Sequence, residues 1–593
     1  MTTDDPTRAA AQDHRPTPMR PLVAGTRHMV VAGHALAAHA GFTILEAGGN
    51  AVDAGIGAAI AIAVVESELV NVAGVAPMII RLADTGEIIT IDGLGHWPAA
   101  ITPDLFMREH GAQVPEGILR TVVPAAPAAW IEALQRYGTM TFGDVSGAAI
   151  RLARDGFVMY PLMADLIAKN QDRLRRWPSN TAIYLPGGAP PEAGDLFVQS
   201  DLAGTLQYMA NQESAAATGG RAAGLQAARD AFYRGDIAAT ILAYHEAEGG
   251  LLRAGDLADF AVEVGKPLST SFAGATVHAC GPWCQGPALL QTLAILDGVD
   301  LAAMGHNTPA YVHTVAEALK LAFADREAFY GDPRFIDVPL DGLLSSEYAA
   351  ARRGLIRPNE AWLGMAPVGD PWNRTDVPAS DGAAPMTAAM QAGEAPRMPL
   401  DTSYVCAVDE AGNVFSATPS DIAFDTPVIP GTGLCVSSRG SQSWADPDHP
   451  SGVAAGKRPR LTPNPALSID PDGRVTAFGT PGGDVQVQAM VQTFLNRKVF
   501  AMDAQSAVEA PRFATYSFPD SFAPHETYSG RLNVEAAIAA TAGNDLGALG
   551  HDIHAWPEKT WLAGAVCMLE SDPNTGIHTG AADPRRTGYA LGW

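Results

Sequence analysis

The sequence predicts an α+β fold, with helices and strands segregated along the chain. Two observations predict it. Residues 130–360 read as mostly helical, with a long apolar-periodic stretch over 310–330. Beyond residue 402, short alternating β-rich segments dominate, at 402–408, 414–418, 434–437 and 475–478. Between the two regions, residues 367–399 are rich in Pro, Gly and Ala without a sustained period, which reads as a flexible linker. Some thirty structureless residues inside a compact protein need a reason, and a cleavage site just past their end would supply one.

Taken in order, residues 1–24 are polar and Pro-containing and read as a disordered tail. Met29-Val30-Val31-Ala32 reads as a strand, followed by a helix with Leu36, Ala40 and Ile44 on one face. Gly48-Gly49 ends that helix, and Asn50 caps the next, which runs to about Val65. A strand is expected near 276–279 and a helix over 485–495.

Composition narrows the function. Of 593 residues, 47% are hydrophobic and 17% charged, which describes a globular protein with a substantial core. Lys+Arg 39 against Asp+Glu 64 gives a net charge of −25, without the basic stripe a nucleic-acid partner requires. The first residues lack a basic start followed by an apolar run, so no secretory signal is expected. The longest apolar run, 54–65, falls short of the about 20 residues that cross a bilayer. Five cysteines, scattered and odd in number, suggest no disulfide framework. Cys280 and Cys284 lack a second pair to complete a zinc site and read as buried thiols, and His551 and His554 read as two surface histidines. These features predict a cytoplasmic protein with no metal, no cofactor, no nucleic acid and no membrane.

The chemistry concentrates after the linker. Two β-prone runs, 402–408 and 414–420, flank Asp409-Glu410-Ala411-Gly412-Asn413, so they form a hairpin. If the turn is symmetric about Ala411, Thr402 lies opposite Ser420 and Tyr404 opposite Thr418. Alternation then puts Thr402, Thr418 and Ser420 on one face. Opposed Cβ atoms sit about 5 Å apart, close enough for hydroxyls to meet. Such pairs are also common in ordinary sheets.

This hairpin resembles that of the γ-glutamyltransferase (γ-glutamyltranspeptidase) family. So do Gly48-Gly49-Asn50-Ala51-Val52-Asp53-Ala54, Ala324-Asp325-Arg326 with Gly331-Asp332-Pro333, Gly456-Lys457-Arg458-Pro459, Thr480-Pro481-Gly482-Gly483 and Asp583-Pro584-Arg585, in the family's order. The resemblance implies an N-terminal-nucleophile hydrolase with a four-layer αββα sandwich. It implies cleavage between Asp401 and Thr402, giving a large fragment (25–401 beyond the tail) and a small one (402–593), intertwined in one unit, and leaves open a homodimer of that pair. Before the cut, the Thr402 hydroxyl would attack the preceding carbonyl. Afterwards, the freed α-amine, with an ordinary pKa of about 8, would act as base for the same residue's hydroxyl. Ser420 matches the residue that hydrogen-bonds the nucleophile, and Gly482 and Gly483 match the oxyanion hole. Their place between a strand and a helix start favours negative charge on its own account, and losing one such donor costs about 3 kcal/mol.

Departures from the family bear on the substrate. Leu94 stands where the family's carboxylate-binding arginine aligns, and no carboxylate occurs in Ser437-Ser438-Arg439-Gly440-Ser441-Gln442, where an amine-binding acid falls near Gln442. Leu461 replaces one of two serines, Thr462 keeps a hydroxyl, and Ile422 replaces an Asn. With both halves of a zwitterion clamp missing, a γ-glutamyl substrate is poorly held. Arg439 could instead receive a carboxylate, or serve as an intramolecular ion pair. The expected substrate is a small amide bearing a carboxylate, such as oxamate or a glutaryl-type N-acyl amide, with Arg439, Thr418, Gln442 and Thr462 as candidate binding residues. The short 444–456 segment favours hydrolysis over transfer. A γ-glutamyl hydrolase or transpeptidase and a non-enzymatic relative are the competing readings.

Overall fold

The computed structural model describes residues 18–373 and 402–593. Two seven-stranded antiparallel sheets form its centre. One runs Tyr589–Gly592, Met29–Ala32, Val405–Val408, Val414–Ala417, Met78–Arg81, Ile88–Ile91, Val264–Gly265. The other runs Val23–Gly25, Ile577–Ala582, Cys567–Asp572, Val475–Gly479, Ala466–Ile469, Ala275–Ala279, Leu268–Phe272.

The period of two along each strand builds the layers. Met29, Val31, Cys406, Val408, Val414 and Ile79 point inward to meet Leu467, Val475, Ala477, Cys567 and Leu569 of the other sheet. Their neighbours Val30, Ala32, Val405, Ala407, Phe415 and Ala417 face outward onto the helices Ala35–Glu46 and Ala51–Val65. On the far side, Val277, Ala279, Ala466, Phe478 and Met568 pack on Gly286–Leu296, Pro309–Phe329 and Val485–Lys498. Helix, sheet, sheet, helix: the four-layer αββα sandwich is present.

Local chemistry explains the elements that hold the site. Ala51–Val65 is apolar all round and every residue is buried, as a helix sandwiched between a sheet and further helices must be. Asn50 caps it by accepting from Val52 and Asp53, and the Asp53 carboxylate returns a bond to the Asn50 N–H, a capping box worth about 1 kcal/mol. Gly55 lets this helix touch the sheet, because a Cβ there would lie 2.0 Å from the Phe415 ring.

The hairpin register is symmetric about Ala411, with Val405 opposite Ala417 and Cys406 opposite Ser416. Its two strands lie between Met29–Ala32 and Met78–Arg81, so strands from either side of residue 402 alternate within one sheet. A cut ahead of Thr402 therefore leaves both parts bound through ladders and core.

Several expectations shift. The regular strands are shorter than expected, starting at Val405 and ending at Ala417, because Pro419 and the turn into Asp421 end the ladder. Leu36, expected on the buried face, is exposed, and the helix packs through Ala37, Ala40, Ile44 and Leu45. Residues 18–24, grouped above with the tail, are described: Met19 and Arg20 donate backbone N–H bonds to Glu509, and Val23–Gly25 joins the second sheet. The start of the expected linker is tied down, with Gly369 N donating to Asp325. Its remainder, and Asp401, lie outside the described residues, as do 1–17. His551 is not a surface histidine; it is buried against His313, whereas His554 pairs with Asp552 at the surface. Cys280 and Cys284 are buried thiols, as expected.

Candidate active site

Thr402 is fully buried at the inner edge of the hairpin. Its Oγ1 lies 2.6 Å from Ser420 Oγ, the partner the register predicts. The backbone on both sides is held: Thr402 N donates to Leu69 O at 3.0 Å, Ser403 N donates to Pro419 O at 3.0 Å, and Thr402 O accepts from Arg586 Nη1 at 2.9 Å. Thr402 has φ +75°, the left-handed region, which is unfavourable for a β-branched residue and costs about 1–3 kcal/mol. That strain sits at the bond expected to break.

Under this residue runs Glu66-Ser67-Glu68-Leu69, just past the helix Ala51–Val65. Burial raises the Glu66 carboxyl above the usual range, opposed by the Ser403 hydroxyl and Arg586. Burial likewise pushes Glu68 up to about 8, against a hydrogen bond from Tyr160 at 2.7 Å. Among the described residues Glu68 Oε2 has no partner, which suits a protonated carboxyl. Leu69 O also accepts from Asp421 N, and Asn71 Nδ2 donates to Asp421 O. One short segment thus holds both ends of the hairpin.

A cavity of about 390 Å³ lies beyond Ser420, and neither Thr402 nor Ser420 forms part of its wall. Its wall includes Gly482 and Gly483, at the turn between Val475–Gly479 and Val485–Lys498, with φ +127° and +56°. Among the described residues neither amide N–H has an acceptor, although both carbonyls accept from the helix start. Two adjacent donors at a helix start suit an oxyanion. Arg439 also lines the cavity, and its Nη2 donates to Ser420 Oγ at 2.5 Å. The wall also includes a run of alternating charge. Arg120 Nη1 meets Asp425 at 2.7 Å, Arg173 bonds Asp425 and Glu116, and Arg176 bonds Glu116. Burial alone would raise Glu116, but Arg173, Arg176 and Arg120 hold it below the usual carboxylate range. Tyr516, Phe518, Phe522 and Tyr528 supply an aromatic side.

Ser420 therefore touches both Thr402 and Arg439, and Arg439 shares the cavity wall with Gly482 and Gly483. Thr418 does not join the hydroxyl pair; it is buried and its Oγ1 has no partner among the described residues. Gln442 Nε2 donates to Thr462 Oγ1 at 2.9 Å, and neither forms part of the cavity wall. Leu94 packs in an apolar cluster with Val75, Trp283 and Leu461, away from the wall, where Arg120 stands instead. A carboxylate does reach the 437–442 stretch: Asp421 accepts from both Ser437 Oγ and Ser438 Oγ at 2.5 Å and from Ser438 N at 3.0 Å. Burial pushes its carboxyl up, while Arg439 and the two serines pull it down. Its proximity to Ser420 in sequence was the available signal. Glu66, Glu68, Arg586 and the 116–176 wall had none.

His313, Glu317 and His551 form the one group among the described residues spaced to hold a metal. A resident cation already occupies it: Lys320 Nζ donates to Glu317 Oε1 at 2.8 Å, and Glu317 Oε2 accepts from Trp362 N. The two histidines bond each other at 2.9 Å. The donors suit a divalent ion by type, but a buried ammonium beside them opposes a second positive charge.

Comparison with known proteins agrees with this geometry. The family model described as Gamma-glutamyltranspeptidase matches residues 37–593. The chain is 33% identical over 578 residues to the Acylase ACY 1 proenzyme of Pseudomonas sp. (strain SE83), covering 95% of this chain and 93% of that protein. It is 29% identical to the Oxamate amidohydrolase proenzyme of Klebsiella pneumoniae subsp. pneumoniae, covering 96% and 99% respectively. The crystal structure of cephalosporin acylase from Bacillus halodurans superimposes with a TM-score of 0.82 at 27% identity, over 100% of this chain and 99% of that one. With the two sheets, the Thr402–Ser420 pair and the Gly482–Gly483 turn all in place, the chain belongs to the γ-glutamyltranspeptidase family, whose members are self-processing N-terminal-nucleophile amidohydrolases and transpeptidases.

Proposed function

We propose that the precursor cuts itself between Asp401 and Thr402, and that Thr402 then hydrolyses the amide bond of a small, carboxylate-bearing substrate through an acyl-Thr402 intermediate. The observation that carries this reading is the 2.6 Å contact between Thr402 Oγ1 and Ser420 Oγ, at a residue whose backbone is strained. In the precursor, Oγ1 adds to the Asp401 carbonyl carbon, its proton ends on the Thr402 nitrogen as the C–N bond breaks, and the acyl group passes from nitrogen to oxygen, leaving a free α-amine. Water then cleaves the ester. Since φ of Thr402 is defined by the bond that is lost, cleavage releases the strain. In the mature enzyme the α-amine takes the hydroxyl proton as Oγ1 attacks the substrate carbonyl, and passes it to the leaving amine. Gly482 and Gly483 N–H receive the developing oxyanion.

Substrate choice follows from the wall. Arg173 and Arg176 offer partly exposed positive charge at the cavity rim, and the aromatic side accommodates an apolar chain. Oxamate and glutaryl-type amides fit that pattern, consistent with the amidohydrolase and acylase relatives. A γ-glutamyl substrate is the second reading, favoured by the Asp421 carboxylate on the Arg439 side.

N-terminal sequencing of the smaller fragment tests the cut, which must begin Thr402-Ser403-Tyr404. An intact 593-residue chain with full activity would refute it. Rates on glutaryl and γ-glutamyl anilides then separate the two substrate readings.

A further inference from the structure

Arg439 takes part in the cavity wall, yet it also reaches inward to the catalytic hydroxyls. Its Nη2 donates to Ser420 Oγ at 2.5 Å, and Ser420 Oγ lies 2.6 Å from Thr402 Oγ1. A guanidinium has only donors, so the direction of the first bond is fixed. Ser420 Oγ accepts from Arg439 and can turn its single proton toward Thr402. The order is then N–H···O–H···O, with the positive charge at one end and the Thr402 oxygen at the other.

We propose that Arg439 is a positioning residue for the nucleophile, polarising Thr402 Oγ1 through Ser420 in both self-cleavage and turnover. This rests on the reading of Thr402 as the nucleophile. Negative charge develops on Oγ1 twice: when its proton leaves for the base ahead of attack, and when the ester C–O bond breaks as the acyl group passes to water. At both moments the Ser420 hydroxyl donates to that oxygen, and Arg439 makes it a stronger donor. Ser420 keeps its proton throughout, and the transferred proton is the one Thr402 gave to the base.

The surroundings fix this aim. Arg439 is buried, and its Nε lies 3.7 Å from Asp421 Oδ2, a carboxylate itself anchored by Ser437 and Ser438. Its Nη1 lies 3.5 Å from Gln442 Oε1, and Gln442 is in turn held by Thr462. The guanidinium stacks 5.6 Å from the Phe522 ring centre. A group that served only as a clamp for a substrate carboxylate would have no need of a bond to Ser420.

Self-cleavage separates the two roles, because it involves no substrate. Full-length Arg439→Met and Arg439→Gln are followed by denaturing gel for release of the 192-residue fragment. The matured fractions are assayed on glutaryl p-nitroanilide and on its neutral analogue butyryl p-nitroanilide. The expected result is self-cleavage slowed about ten- to a hundredfold, with kcat lowered by a similar factor on both anilides. The acidic limb of the pH profile should move to higher pH, since a cation near the α-amine no longer disfavours its ammonium form. Arg439→Lys should recover more of the rate than Arg439→Met. In a Ser420→Ala background, Arg439→Met should add little, because the link between them is already gone.

Wild-type fragment release in whichever of the two variants folds by its melting curve overturns the proposal. So does a rise in KM confined to the carboxylate-bearing anilide, or an additive double variant. A Thr402→Ala chain that still cuts itself would instead refute the underlying reading, so the two failures are distinguishable.

Discussion

Thr402 and Ser420 hold mirror positions across the turn at Ala411, and their hydroxyl oxygens meet at 2.6 Å. The register that brings them together comes from the outward face of the hairpin, where Val405, Ala407, Phe415 and Ala417 must bury against the helix Ala51–Val65. A slip of one residue would turn that face inward and part the hydroxyls, so core packing sets the geometry of this pair.

Removing either hydroxyl should therefore separate two effects. Thr402→Ala leaves a single uncut chain with no amidase activity. Ser420→Ala keeps the Thr402 hydroxyl but loses a charge-assisted hydrogen bond, worth about 1.5–3 kcal/mol, and slows both self-cleavage and turnover about ten- to a hundredfold, at least as much as Arg439→Met. Gel analysis and kcat measurement on the same preparations check both.

Gly482→Ala and Gly483→Ala should lower kcat on the order of a hundredfold with a small change in KM. Both positions have positive φ, so an added Cβ turns the amide N–H away from the cavity to relieve strain. The helix Val485–Lys498 keeps its packing, and the melting temperature should shift little beside the loss of rate.

At the rim, Arg173→Ala should raise KM for a carboxylate-bearing anilide several-fold while leaving kcat and the neutral analogue nearly unchanged. The effect should shrink with added salt, because Arg173 is partly exposed and screened. Equal losses on both substrates would place its role in folding of the wall.

Glu68 predicts a pH dependence of stability. Burial raises its carboxyl from an ordinary 4.5 to about 8, so the folded state holds a proton that the unfolded chain gives up. Its contribution is fully present below the unfolded value and is lost as pH rises through the folded one, giving a decline in stability between pH 4.5 and about 8. Glu68→Gln keeps the shape without the ionisation and should flatten that decline, a difference visible in melting curves at pH 5 and pH 8.

Much of the scaffold was legible in the residues. The Asn50 cap, the strand at Met29–Ala32, the helix after Gly482-Gly483 and the symmetry of the hairpin all follow from interactions within a few residues, where period and capping chemistry act. The departures at Leu94, Ile422 and Arg439 were legible too, but their meaning was not. Leu94 turned out to be core, and Arg439 turned out to touch Ser420.

By itself the sequence determined that Thr402 and Ser420 pair across the hairpin, that Gly482-Gly483 sits between a strand and a helix start, and the family. Only the tertiary structure decided what surrounds them. Arg586 reaches the Thr402 carbonyl from 184 residues away, and Arg120 meets Asp425 from 305 away. Side-chain alternation and helical period carry information over one or two turns of chain. Which distant segments share a cavity depends on how two twisted sheets and their helix layers pack, and that is a property of the whole core.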